Sequence, residues 1–496
     1  MTPTQPTPHP VPVPVPVPVP DDVSAAPGAA RPRVEAHGID VIPDAERHGR
    51  ARDLFLLWCA PNINYLGFVV GAALVLMGLE LWQAVAVAVA GNLFAVVTGI
   101  VAVPGPASGT PSQVTTRAMY GVRGNRVAIA VNGWFVSVCY IAINWAAAAA
   151  VGYTLLQHFD LPVNTPVKLI VIATIATATV TVAIFGQGMI SRLYPLLSLI
   201  LGVVFLVMCG FVFARADLGF SQSTPLHGFD LWIAVFGGLT LVAASPLSYT
   251  ISSDFARYLP ASTSPVSVAA ATALGSAIPG AVLVSVGALA ATAVDMSDPQ
   301  AGLISLIPSW FVPIFLVAVI VSTVCNNALT SYSAGLALQS VGVRLTRARA
   351  VAASGLLGAV LTLYALFVSD FLGAVSSALS MLVVLVGPIM AVYVTDILIR
   401  RNRYDGVALS DESHRSAFWY TGGVNVAGAV SVLAAAGLAL LASHTVEFRG
   451  PIATALGGID LSLPVGVIVA AGLYLLLTHL VYGLPGRGAA PKETDR

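Results

Sequence analysis

The sequence predicts an all-α polytopic membrane protein of twelve transmembrane helices, ten of them forming a five-plus-five inverted repeat and two more following at the C-terminus. Three observations lead there. The 496-residue chain is 57% hydrophobic and only 9% charged, where a soluble domain carries roughly 25% charge. It has too few ionisable groups to cover itself in water, and its mean hydropathy of +0.86 says the same. The apolar residues fall into twelve runs long enough for a bilayer core of about 30 Å. The basic residues then lie almost entirely on one side of the resulting topology. Net charge is zero, so no global field argues for nucleic acid.

The first element, residues 1–37, is a different material. Val and Pro alternate from Val11 to Pro20. Each Pro removes a donor and fixes φ, which excludes helix and sheet interior and favours an extended, solvated tail. No apolar h-region of a cleavable signal peptide opens the chain. Ordered structure is expected from Gly38-Ile39-Asp40 onward, as one membrane domain over 38–485 with a short tail over 486–496.

The spans are placed near 54–78, 81–103, 127–156, 167–185, 193–214, 231–256, 265–294, 303–340, 350–368, 372–399, 416–442 and 462–483. The eighth is long, and a cytoplasmic extension of it is expected. With the N-terminus inside, twenty of the 23 Lys and Arg residues fall in the tail, the even-numbered loops and the C-terminus. Lys168, Arg215 and Arg449 alone fall on the other side. A miscounted span would scramble this split, so it supports both the count and a plasma- or inner-membrane protein with both termini cytoplasmic.

Two spans are expected to break. Span 1 contains Trp58-Cys59-Ala60-Pro61-Asn62-Ile63-Asn64-Tyr65, and span 6 contains Ala244-Ser245-Pro246-Leu247-Ser248-Tyr249-Thr250. Lipid tolerates unbonded backbone only where it lines a cavity, and transporters use such breaks to present backbone dipoles to solute and ion. Positions 1 and 6 correspond if the first ten spans are two five-span repeats, and an odd repeat length inverts the second copy. Asn64, Ser245, Ser248 and Tyr249 are therefore candidate substrate contacts.

Ionisable groups inside the spans are few. Asp254 and Asp396 lie near span ends, one turn from Arg257 and Arg400, so structural ion pairs are expected. Neutral polar groups are richer. Span 8 runs Ser322-Thr323-Val324-Cys325-Asn326-Asn327 and continues to Thr330 and Tyr332. Hydroxyl and carbonyl oxygens suit a hard cation, and amides suit the edge of a heterocycle; interhelical bonding is the plainer use of both. Span 3 carries Trp134, Tyr140, Asn144 and Trp145. Trp134 offers a π-face to a flat ring or a contact to the core. The four cysteines have neither metal-ligand nor redox spacing. No HExxH, GxSxG or P-loop is present, so neither an enzyme nor an ATP-driven pump is expected.

At this point the residues resemble a known family. Gly38-Ile39-Asp40-Val41-Ile42-Pro43 with Leu54-Phe55-Leu56-Leu57-Trp58, the loop Gly105-Pro106-Ala107-Ser108-Gly109-Thr110-Pro111, and Tyr120-Gly121-Val122-Arg123-Gly124-Asn125 are similar to the nucleobase:cation symporter-1 family. Ser253-Asp254-Phe255-Ala256-Arg257-Tyr258-Leu259-Pro260 and Asn327-Ala328-Leu329-Thr330-Ser331-Tyr332-Ser333 resemble its purine–cytosine permease branch, and Thr395-Asp396 with Arg400-Arg401-Asn402-Arg403-Tyr404-Asp405 resembles its exit from span 10. The resemblance implies a leucine-transporter-type fold and Na⁺- or H⁺-coupled uptake of cytosine, purine, uracil, allantoin or hydantoin-like rings by a monomer. It implies that Trp134 stacks on the ring, that Asn326 or Asn327 reads its edge, and that Ser322 and Thr323, with backbone near Asn62 to Tyr65, hold sodium. No other cofactor is implied. Two departures stand out. Span 6 lacks the Trp or Phe that often closes on the ring, Tyr249 being its nearest aromatic, and Val138 stands where some members have a span 3 glutamine. An amino-acid or amine symporter of the same fold, and a channel or receptor, are the alternative readings.

Overall fold

The computed structural model describes residues 34–367, 371–445 and 448–483, and no side chain over 371–383. The Val/Pro run and the C-terminal tail lie outside the described residues. Each of the twelve expected spans contains a helix, although the eleventh begins only at Val426, where 416 was expected. Span 1 is two helices, Ala51–Asn62 and Tyr65–Leu76, meeting at 63°. Leu81–Ser108, Val122–His158, Thr165–Phe185, Gln187–Phe213, Gly228–Ala256, Pro265–Ala293, Val312–Val341 and Arg347–Phe367 are spans 2 to 9. Phe371–Arg400, Val426–Leu441 and Ser462–Tyr482 are spans 10 to 12. The long eighth run resolves differently from expectation. A separate short helix, Pro299–Ser305, capped by Asp298 on the backbone N–H groups of Gln300 and Ala301, precedes the span. Part of the excess length therefore lies before span 8, and the span itself still runs 30 residues, Val312–Val341.

Packing follows the two-fold repeat. Span 1 packs on spans 5 and 7, and its mate, span 6, packs on spans 10 and 2; span 3 packs on span 9, and span 8 on span 4. Each contact recurs when every span is exchanged for its mate five places away in the chain, as a two-fold repeat requires. Spans 3 and 8 are the most enclosed, each with 56% of its apolar window buried, whereas spans 4 and 12 bury 22% and turn most of their surface outward. Leu199, Val203 and Leu206 on span 5, and Ile468, Leu475 and Leu480 on span 12, are exposed, the composition a lipid-facing surface needs.

Glycines permit the closest approaches around span 7. A Cβ on Gly71 would fall 1.8 Å from the Val284 carbonyl, one on Gly287 2.2 Å from that of Phe68, and one on Gly275 2.5 Å from that of Phe55. Both halves of span 1 are thus seated on one continuous partner helix, the small-residue packing that membrane helices favour.

Ionic groups are clustered and satisfied. Asp396 accepts from Arg400 Nε at 2.9 Å and from the hydroxyls of Tyr404 and Tyr474 at 2.7 Å each, the pairing expected. Asp254 differs from expectation. Its carboxylate accepts from Ser112 N (2.8 Å), Gln113 Nε2 (2.8 Å) and Ser333 Oγ (2.6 Å), fastening the loop after span 2 to spans 6 and 8. Arg257 pairs instead with Glu35. The sequence puts Glu35 in the solvated tail; the fold takes it in, its side chain only 8% exposed, so ordered structure starts before Gly38.

Candidate functional site

The two breaks face each other across a cavity of about 390 Å³, a size usual for a small-molecule site. In span 1 the Pro61 ring leaves the chain without an N–H donor, and after a gap of two residues the helix restarts at Tyr65. Asn64 spans the gap. Its Oδ1 accepts from Gly67 N at 3.2 Å, capping the second half, and its Nδ2 donates to the Pro61 carbonyl at 2.8 Å. In span 6 the helix ends at Ser248 after Pro246, and Ser253–Ala256 resumes it. Span 2 clasps this break: Thr98 Oγ1 donates to the Pro246 carbonyl at 2.7 Å, Ser252 Oγ to Thr98 O at 2.8 Å, and Ser253 Oγ to Val101 O at 2.5 Å. Tyr249 OH donates to Asn62 Oδ1 at 3.2 Å, joining one break to the other.

Of the residues singled out in the sequence, Asn64, Ser245, Ser248, Tyr249 and Asn326 line the cavity. Asn327 does not. It is fully buried behind Asn144, donating Nδ2 to the Ile141 carbonyl (3.0 Å) and accepting Asn144 Nδ2 on Oδ1 (2.9 Å). A carbonyl can only accept, so this chain of bonds fixes the orientation of both amides. Asn144, with Nδ2 engaged by Asn327, lines the cavity. The span 8 amide of the cavity wall is therefore Asn326, with Asn327 one layer behind.

The larger correction concerns span 3. Trp134 and Val138, implied as ring contacts, do not line the cavity. Trp134 packs with Ile141 and Trp145 toward spans 4, 8 and 9, and its indole N–H donates to Ser354 Oγ of span 9 at 3.0 Å; Val138 is fully buried. Ser137, Tyr140 and Asn144 form the wall instead. The cause is register. Residues Ile129–Phe135 form a π-helical turn, which holds one residue more per bond than an α-turn and rotates the remainder of the helix about its axis. Trp134, Val138, Ile141 and Trp145 then share one flank, and 137, 140 and 144 share another roughly 100° round. An aromatic succeeded four residues later by an amide does face the cavity, as Tyr140 and Asn144. The 3, 4 spacing of Ser137, Tyr140 and Asn144 was the sequence signal for it.

Of the residues implied for sodium, Asn62 is buried with Nδ2 on the Trp58 carbonyl, and Tyr65 packs against the apolar core at the start of the second half-helix. Ser322 and Thr323 donate their hydroxyl protons to the Val319 carbonyl, each at 2.9 Å. A hydroxyl whose proton is committed in this way presents lone pairs alone, which is the state a cation needs. Span 8 packs on the first half of span 1, so these oxygens lie on the span that faces the break.

Sequence reasoning missed the far end of the cavity. Ser443, His444, Thr445 and Asp460, from the connection between spans 11 and 12, line it together with Met77 at the end of span 1. His444 Nδ1 bonds the Gly458 carbonyl, which requires the proton on that nitrogen. Burial raises the Asp460 carboxyl above its ordinary value, partly offset by hydrogen bonds from Ser462 and His444. These residues belong to the face opposite residues 34–50, and the cavity reaches that face.

A helical membrane protein with two apposed broken spans around a polar cavity is a transporter, not an enzyme. Residues 41–466 match the permeases for cytosine/purines, uracil, thiamine and allantoin. The chain belongs to that family, the nucleobase:cation symporter-1 group. YxlA of Bacillus subtilis (strain 168), whose name assigns it provisionally as a purine-cytosine permease, is 27% identical over 312 residues, covering 61% of this chain and 64% of YxlA. The matched stretch thus spans just under two thirds of that relative. Among solved structures, the nucleobase-cation-symport-1 transporter Mhp1, closed with bromovinylhydantoin bound, superposes with a TM-score of 0.70 at 18% identity, covering 89% of this chain and 95% of its own. A Na⁺-coupled sialic acid symporter superposes at 0.57 with 10% identity, covering 88% and 91%. At these identities the superpositions establish the fold.

Proposed function

We propose that the protein carries a nucleobase-type nitrogen ring across the membrane by alternating access, coupled to Na⁺. The observation that carries the reading is the cavity wall itself: the phenols Tyr140 and Tyr249, with the amides Asn64, Asn144 and Asn326 and the hydroxyls Ser137, Ser245 and Ser248, between two broken helices. A flat ring offers a π-face and an edge of alternating donors and acceptors. An aromatic side chain meets the first, and amides, each able to donate and accept, meet the second. Asn144, whose Nδ2 is engaged by Asn327, keeps an amide oxygen that suits an N–H on the ring.

Sodium is favoured by the committed hydroxyls of Ser322 and Thr323. Both termini lie in the cytoplasm by the distribution of basic residues, so the cavity faces outward and uptake is the direction of work. Binding of ion and ring favours closure over the cavity, after which the body of spans 1, 2, 6 and 7 tilts against that of spans 3, 4, 8 and 9. Each ligand drives the cycle only by its differential affinity for the two states.

The test is competition uptake into vesicles, using a panel of radiolabelled rings with and without an inward sodium gradient. Accumulation of one or more purines or pyrimidines that collapses without the gradient is expected. Uptake of amino acids instead would refute the solute class, and accumulation that follows a proton gradient alone would refute sodium.

A further inference from the structure

We propose that residues 34–38 are a latch on the inner gate, with Glu35 as the group that must let go before the cavity can open toward the N-terminal face. This rests on the alternating-access reading above.

The side chain of Glu35 is enclosed although it precedes span 1 by sixteen residues. It is bound by four separate elements. Oε2 accepts from Gln187 N at the start of span 5 at 2.7 Å. Oε1 accepts from Tyr332 OH of span 8 at 2.9 Å and from Tyr258 OH just beyond span 6. Arg257 Nη2 reaches Oε1 at 3.4 Å, while Nη1 of the same guanidinium donates to the Gly38 carbonyl at 2.7 Å. Arg347 Nη2, at the start of span 9, lies 3.9 Å from Oε2 and bonds the Glu35 carbonyl at 3.3 Å. Side chain and main chain are both held.

Glu35 is also the counter-ion of this region. The side chains of Arg257 and Arg347 are 0% and 1% exposed, and Glu35 is the one carboxylate in ion-pair distance of either among the described residues. Asp254 is nearby, but its oxygens are taken by Ser112, Gln113 and Ser333. Removing one partner of such a buried set leaves a charge uncompensated. The backbone is shaped for the carboxylate as well. Gly186, at φ 74°, would place a Cβ 2.0 Å from Glu35 Oε2.

The placement gives this cluster its role. Arg257 and Tyr258 end span 6, which packs on spans 1 and 2; Tyr332 and Arg347 belong to spans 8 and 9, which pack on spans 3 and 4. The cavity lies between these two groups and reaches the far face. Opening it at the near face requires residues 257–258 to part from 332 and 347. Glu35 bonds both sides of that seam, reinforcing the direct bonds across it, Arg257 Nη2 to Tyr332 OH at 3.1 Å and Ser333 Oγ to Asp254 at 2.6 Å. A bond made in one state only shifts the population by its full strength, so the segment biases the carrier toward the outward-facing state.

The experiment is hydrogen exchange of the full-length chain in nanodiscs, comparing Glu35→Gln, Glu35→Asp and Tyr332→Phe with the parent. It needs no substrate, so it tests the latch even if the assignment of solute fails. Exchange over residues 34–50 and over the starts of spans 5 and 9 is expected to rise on the order of tenfold or more in Glu35→Gln. Tyr332→Phe, which strands no charge, should give a smaller rise in the same segments, and Glu35→Asp an intermediate one. In oriented vesicles loaded with radiolabelled hypoxanthine, half-saturation on the inner face should fall, and on the outer face rise by a smaller factor, as the outward-facing fraction declines. A merely structural role would not produce that asymmetry. Parental exchange in both Glu35→Gln and Tyr332→Phe, or a rise spread evenly over all spans, overturns the proposal. Should Glu35→Gln fail to insert, Tyr332→Phe decides alone.

Discussion

Replacing Tyr140 and Trp134 in turn separates the wall seen in the structure from the one implied by family resemblance. Tyr140 lines the cavity, so Tyr140→Leu removes a π-face from the ring site without sealing a void inside the protein. Stacking of a base on an aromatic is worth about 1–3 kcal/mol, and 1.4 kcal/mol is a factor of ten, so ring affinity should fall roughly 5- to 150-fold. Trp134 sits between spans 3 and 9 with its indole N–H on Ser354. Trp134→Phe keeps an aromatic there and loses one hydrogen bond, about 0.5–1.5 kcal/mol of stability, and binding should stay within about twofold, well inside the tenfold that 1.4 kcal/mol represents. The assay is equilibrium binding of a radiolabelled ring to the purified protein, with thermal unfolding monitored on the same samples. If Trp134→Phe weakens binding more than Tyr140→Leu does, the register of span 3 derived from the π-turn is wrong.

The bonds around the site and the span ends set four further outcomes. Asn327→Ala should free Asn144 to rotate and weaken ring binding about tenfold, alongside about 1–3 kcal/mol of stability from the buried partner lost; a binding isotherm equal to the parent's would remove Asn327 from the site. Asn64→Ala should cost about 0.5–2 kcal/mol through loss of the cap, read as a lower unfolding midpoint in nanodiscs. Asp396→Asn takes the carboxylate from Arg400, whose side chain is 15% exposed, and should cost about 1–3 kcal/mol, whereas Tyr404→Phe should cost a fraction of that. His37 supplies a pH dependence. Burial disfavours its charged form, but the hydrogen bonds and charges of Asp40 and Glu46 outweigh burial and raise it above the ordinary value of 6.5. Its contribution is therefore complete below that value and lost as pH rises through the raised one, and the protection of residues 34–50 from exchange should decline over that interval in the parent and stay flat in His37→Gln.

The topology was legible because lipid imposes simple rules. Apolar length, and Pro61 and Pro246 inside apolar runs, each express a one-dimensional constraint. Asp396 and Arg400 paired as expected because i, i+4 neighbours on one helix need nothing else to meet. Legibility ended where a contact depends on register or on distant chain. A single π-turn over Ile129–Phe135 carried Trp134 away from the cavity and brought in Tyr140 and Asn144, and nothing in the composition of that stretch announces the turn. Asp254 lies one turn from Arg257, yet it took its partners from residues 112, 113 and 333. Glu35, beside a proline-rich tail, read as solvent until folding supplied two buried arginines that require it. His444 and Asp460 were overlooked because they come from the two spans outside the repeat.

The seating of span 1 on span 7 bears on how the molecule can move. A helix interrupted at Ile63 and Asn64 invites description as a hinge. Here each arm is keyed by glycine into the same unbroken rod, Phe55 against Gly275 on one side of the kink, and Gly71 and Phe68 against Val284 and Gly287 on the other. Flexing at the kink would tear one arm from its seat. The interruption is thus a rigid elbow, splinted along its length, and bulkier side chains at these three glycines should stall the cycle from well outside the solute's reach.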